Sequence, residues 1–103
     1  MADHCVKICL NLSEVYGSSK ERESIQEFTE KLGETIENHG VGEFDGDEYG
    51  GGECTLYMYG PDADQLFEVI SPVVTSFPLA RGGYVLKRYG PPNDGIKEVK
   101  VDL

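Results

Sequence analysis

Between Cys5 and Leu12 the chain alternates strictly: Val6, Ile8, Leu10 and Leu12 are apolar, and Cys5, Lys7, Cys9 and Asn11 stand between them. A period of two predicts a half-buried β-strand. Past the loop Tyr16-Gly17-Ser18-Ser19 the period changes. Ile25, Phe28, Leu32 and Ile36 recur at intervals of three and four, which is one face of an amphipathic helix. Ser18 with Glu21 three residues on makes a capping box at its start, and Gly40 after His39 suits its C-terminal end. Gly33 inside this helix costs about 1 kcal/mol against alanine, so its presence points to close packing on a sheet.

Val41 to Phe44 reads as a short strand, after which Asp45 to Gly52 turns the chain. Cys54, Leu56 and Met58 then alternate with Thr55, Tyr57 and Tyr59, a further strand with one apolar and one tyrosine-bearing face. Gly60-Pro61-Asp62 breaks it, and Asp62 with Gln65 opens a second helix. Leu66, Phe67, Val69, Ile70, Val73 and Val74 form that helix's apolar side, with Pro72 predicted to kink or tighten it. Tyr84 to Tyr89 reads as a strand, Gly90 to Gly95 as a turn, and Val99, Val101 and Leu103 as the inward positions of a last strand. The order predicts one α+β domain over residues 1–103, a ferredoxin-like βαββαβ two-layer sandwich with an extra C-terminal strand.

Charge adds a direction to this picture. The net charge is −10, with 12 acids and 4 bases in residues 1–52 against 7 acids and 5 bases in 53–103, or −8 against −2. The polar side of the first helix carries Glu23, Glu27, Glu30, Glu34 and Glu37, with Glu27–Lys31 a favourable i,i+4 pair. Asp45, Asp47 and Glu48 add an acidic turn. A field of this sign repels nucleic-acid phosphates and anionic membranes and draws in a basic protein partner. No apolar run approaches the roughly 20 residues that cross a bilayer. Three cysteines, an odd number, behind an N-terminus without a signal-peptide core predict reduced thiols in the cytoplasm.

Candidate chemistry is sparse. Asp45, Asp47 and Gly50 match the first, third and sixth positions of a calcium loop, but Tyr49 holds the fifth and Leu56 stands where a bidentate glutamate belongs. Cys5 and Cys9 share one strand face with His4 on the other, which does not supply four converging zinc ligands. Gly50-Gly51-Gly52 lacks the Lys-Ser/Thr of a phosphate loop, and its acids repel phosphate. His4 and His39 have no nucleophile beside them in sequence. The expectation is therefore no catalytic residue, no metal and no cofactor. Tyr57 and Tyr59 point away from Leu56 and Met58, onto a face that two helices on the opposite side leave open. Exposed tyrosines there give large contact area at low entropic cost.

GEFDG (Gly42 to Gly46), GGGE (Gly50 to Glu53), LYMYGPDAD (Leu56 to Asp64) and GGYVLKRYGPP (Gly82 to Pro92) together resemble a type of small bacterial protein. The resemblance implies an α+β sandwich and a cytosolic setting. Size, acidity and expected fold are also similar to bacterial inhibitor proteins, such as toxin-immunity proteins and protein regulators of ribonucleases. Two functions follow. One is a non-enzymatic module that binds a basic protein through Glu23, Glu27, Glu30, Glu34, Asp45, Asp47 and Glu48, anchored by Tyr57 and Tyr59. The other is a homodimer whose open sheet faces enclose a small-molecule or catalytic pocket.

Overall fold

A computed structural model describes residues 4–93 and 95–103 of the chain. Its elements are β1 (His4–Asn11), α1 (Ser19–His39), β2 (Glu43–Gly50), β3 (Glu53–Gly60), α2 (Ala63–Thr75), a 3-10 turn at Pro78–Ala80, β4 (Tyr84–Arg88) and β5 (Glu98–Asp102). The turn expected at Gly90 to Gly95 joins β4 to β5, and its Asp94 lies outside the described residues, as do Met1 to Asp3. The strands form one sheet in the order β2-β3-β1-β4-β5, and every neighbouring pair is antiparallel.

Alternation decides what each face buries. Val6, Ile8 and Leu10 of β1, Cys54, Leu56 and Met58 of β3, and Val85 of β4 join Ile25, Phe28, Leu32 and Ile36 of α1 and Leu66, Ile70 and Val74 of α2 in one core. The helices thus share one side of the sheet. Phe28 stacks on Phe77 beyond α2, with ring centroids 4.1 Å apart, and ties the two helical segments together. Gly33 meets Phe44 of β2 at ordinary contact distance, the close approach its sequence position implied.

The helix ends follow local chemistry. Ser18 Oγ accepts the Glu21 N–H at 3.1 Å while the Glu21 carboxylate accepts the Ser18 N–H at 2.8 Å. The Ser18 N–H first, and the Ser13 hydroxyl after it, hold the Glu21 carboxyl below its usual range. Gly40 closes α1 in the left-handed conformation at φ 61°. Pro72 stands inside α2, which continues only to Thr75. The i,i+4 pair expected between Glu27 and Lys31 is not closed; among the described residues the ion pairs are Lys87–Asp64 and Lys100–Asp102.

One expectation is corrected. Asp45 to Gly52 is not a turn: the segment from Glu43 to Gly50 is a full strand at the sheet edge. The reversal takes only Gly51 and Gly52, both at positive φ (61° and 81°), which is the two-residue hairpin that demands left-handed conformations at both positions. Glycine density and charge read as a loop, but backbone pairing with β3 from Glu43↔Tyr59 to Gly50↔Glu53 outweighs the poor strand propensity of Gly and Asp.

Where β2 pairs with β3, Tyr49 stands opposite Cys54. Burial pushes the Cys54 thiol up to about 11 and, with the adjoining Cys54, the Tyr49 phenol up to about 12. Both groups hold their protons more tightly in the native state than at their ordinary values of 9.0 and 10.0. Their contribution is therefore complete below the ordinary values and is lost as pH rises toward the native ones. The thermal midpoint followed by circular dichroism should fall steeply across that alkaline window, and Tyr49→Phe should make the fall shallower. A midpoint that stays flat through the window contradicts this account.

Candidate functional site

The sheet face away from the helices is built in rows by the strand register. Glu43, Tyr59, Cys5, Arg88 and Glu98 run across one row; Gly46, Tyr57, Lys7, Leu86 and Lys100 form the next; Glu48, Thr55, Cys9, Tyr84 and Asp102 form the third. Tyr57, Tyr59 and Tyr84 are each half-buried by their neighbours. Lys7 lies 5.8 Å from the centre of the Tyr57 ring, and Lys100 lies 4.6 Å from that of Tyr84.

Cys5 and Cys9 are buried although no helix covers them. The register explains it: Cys5 is flanked by Tyr59 and Arg88, and Cys9 by Thr55 and Tyr84. The Cys9 sulfur is 3.9 Å from Thr55 Oγ1. Burial raises the Cys5 thiol against the opposing pull of Arg88 and Lys7. Thiols that are shielded and protonated react slowly. Alkylation of the native protein at neutral pH, read by mass spectrometry, should leave Cys5 and Cys54 unmodified until denaturant is added; rapid native labelling of either contradicts the packing described.

Acidity gathers at the β2 side of this face. The pairing register slips between Phe44 and Gly46, leaving Asp45 as the extra residue of a β-bulge. Burial is the main cause that raises the Tyr59 hydroxyl, with Cys5 and Asp45 adding to it and Arg88 opposing. The Tyr57 hydroxyl is raised by burial first and Glu48 second. Asp45 and Glu48 therefore act on the same two tyrosines that the sequence singled out. Asp47 pairs with Leu56 and so projects to the helix side of the edge. Glu23, Glu27, Glu30 and Glu34 are exposed along α1, on the far side of the sheet from Tyr57 and Tyr59. The molecule is 20 Å through its thinnest direction. The structure thus brings Asp45, Glu48, Tyr57 and Tyr59 together and separates the helix glutamates from them.

The sequence reading passed over two further features. Val15 and Tyr16, 58% and 62% exposed, stand on the loop after β1. That loop is latched by Arg22, which donates to the Gly17 carbonyl at 2.6 Å, and by the Gly52 N–H, which donates to the Val15 carbonyl at 2.9 Å. The second feature lies on the helix side. A groove of about 670 Å³ runs beside α2, lined by Asp64, Phe67, Ser71, Thr75 and Lys87 among others. At its end one carboxylate oxygen of Asp64 accepts both the Lys87 ammonium, at 2.9 Å, and the Tyr89 hydroxyl. The Tyr89 bond, followed by that of Lys87, lowers the Asp64 carboxyl, and the bonds to Asp64 raise Lys87 and Tyr89. His4 stands edge-on to Tyr89, and its Nδ1 accepts the Ala63 N–H at 3.0 Å, so this residue caps α2. A lysine at an inward strand position was the signal available in the sequence. Its partner Asp64 comes from α2 and could not be read there.

Among the described residues no group of three His, Cys, Asp or Glu side chains converges as a metal site, and no helix is long and apolar enough to cross a membrane. In comparisons with protein-family models, curated proteins and solved structures, the chain matches none.

Proposed function

We propose that this chain is a non-enzymatic binding module that receives a basic protein surface on Tyr57, Tyr59 and the acidic strand β2. The observation that carries the reading is the juxtaposition of Asp45 and Glu48 with two half-buried tyrosines on an uncovered sheet face. Such rings serve as anchors, and the acids beside them supply orientation and encounter rate. A nuclease or toxin with a basic active surface has the chemistry this face accepts, in the manner of an inhibitor or immunity protein. The α1 glutamates add to the overall field but do not touch the same partner face.

The architecture fits a ferredoxin-like frame. The order β2-β3-β1-β4 with antiparallel neighbours supports that assignment, with β5 appended beside β4. The three free, buried cysteines support a reducing, cytoplasmic setting. Face-to-face homodimerisation is less favourable than binding a different protein. β1 is the middle strand, with Lys7 half-way along its outward face, so stacking two copies about that strand opposes two ammonium groups.

The test is affinity capture from lysate of the source cells at low salt, with stepwise salt elution, using wild type beside a Tyr57→Ser/Tyr59→Ser variant. The reading expects a stoichiometric basic protein on wild type that leaves as salt rises and is absent from the variant. Recovery of the bait alone, or equal capture by both, counts against it.

A further inference from the structure

The two edges of the sheet are built differently. β2 is guarded by Glu43, Asp45, Asp47 and Glu48 and by the bulge at Asp45, so a second β2 laid against it opposes like charges. β5 carries no such block. Its outward-facing side chains are Glu98, Lys100 and Asp102, alternating in sign. Among the described residues the outer backbone of this edge is also free. Tyr89 N–H donates to the Lys97 carbonyl at 3.0 Å and Leu103 N–H to the Gly83 carbonyl at 3.0 Å. Antiparallel alternation then puts Val99 and Val101 among the residues bonded to β4 and turns the N–H and C=O groups of Glu98, Lys100 and Asp102 outward.

We propose that β5 pairs with β5 of a second copy of this chain, antiparallel about a two-fold axis at Val99, joining two sheets into one. This goes beyond the binding reading and uses the opposite edge of the molecule. In this register Glu98 of one copy stands opposite Lys100 of the other, and the reverse holds by symmetry. Each such pair exchanges both backbone hydrogen bonds that the lone chain leaves to water. The charge pattern is self-complementary in a way that the all-acidic β2 edge is not. On the helix side, Val99 meets its own copy. Val99 and Val101 are half-buried in the single chain, on the helix side of the sheet, where they pair with Lys87 and Val85. The two tyrosine-and-acid surfaces are carried to the far ends of the assembly.

Sedimentation equilibrium of the full chain tests this. A strand-edge interface of this size is expected to give a Kd between about 1 μM and about 1 mM. Lys100→Pro removes an N–H that points to solvent, so it keeps the β4 ladder and blocks the added strand; it should weaken association at least about tenfold. Glu98→Lys alone and Lys100→Glu alone each create two like-charge contacts per dimer and should weaken it by about tenfold. The double exchange Glu98→Lys/Lys100→Glu restores the pairing and should return the Kd to within about threefold of wild type. Circular dichroism on each variant separates lost association from lost fold. A chain that stays monomeric up to about 1 mM overturns the proposal. So does a dimer that Lys100→Pro and the single charge changes leave intact, or one lost instead in Tyr57→Ser/Tyr59→Ser. Failure here leaves the basic-partner reading standing, because the capture experiment reads the other edge.

Discussion

Gly60→Ala is expected to destabilise the protein by about 3 kcal/mol or more. Gly60 ends β3, and a Cβ there collides with the Val41 carbonyl oxygen. Gly42, at φ 154°, faces the reciprocal problem: its Cβ collides with the Tyr59 carbonyl oxygen. The two backbones cross with no side chain between them, where the chain enters β2 beside the end of β3. The obstacle is main chain rather than the tip of a flexible side chain, so relief requires β2 to move off the sheet. Urea titration should therefore show a much lower midpoint for Gly60→Ala. Gly51→Asn is the informative contrast. Gly51 has open space around it and needs only a left-handed conformation, which asparagine tolerates, so that change should cost less than about 1 kcal/mol. Near-equal midpoints for the two variants contradict the crossing as described.

Tyr57→Ser with Tyr59→Ser should lower affinity for the basic partner by on the order of a thousandfold, the loss expected when two anchors worth about 2 kcal/mol each are removed. The fold should survive, because both rings lie outside the helix-side core. Isothermal titration with the captured partner, read beside a thermal melt, separates the two effects. Loss of binding with an unchanged melt supports the anchor role. Unchanged affinity, or collapse of the melt together with binding, removes it.

Much of the frame was written in local pattern. The period-two run from Val6, the spacing of Ile25, Phe28, Leu32 and Ile36, and the capping pair Ser18–Glu21 each reflect forces acting within a few residues, and each appears in the structure, although β1 ends at Asn11 and buries Cys5 and Cys9 on its other face as well. The Asp45 to Gly52 segment misled because its composition is that of a loop, while its conformation is imposed by β3 beside it. Charge and exposure alone group the acids of α1 with the tyrosines of β3, although the alternation of β3 already sets Tyr57 and Tyr59 on the face opposite the helices. Likewise Asp64, Lys87 and Tyr89 meet only because α2 packs across β4. Contacts between distant segments carry no local signature, and the groove beside α2 is made of such contacts.

The separation of the two acidic groups gives the most direct test of the binding account. The association rate with the captured partner should be measured by stopped flow over a range of ionic strength for three proteins: wild type, Asp45→Asn/Asp47→Asn/Glu48→Gln, and Glu23→Gln/Glu27→Gln/Glu30→Gln/Glu34→Gln. The α1 glutamates lie across a molecule 20 Å thick, about two screening lengths at 0.1 M salt. The account predicts that neutralising β2 slows association by about tenfold at low salt and flattens its salt dependence, while neutralising α1 changes the rate much less. A rate indifferent to salt, or a larger loss from the helix variant than from the strand variant, contradicts it.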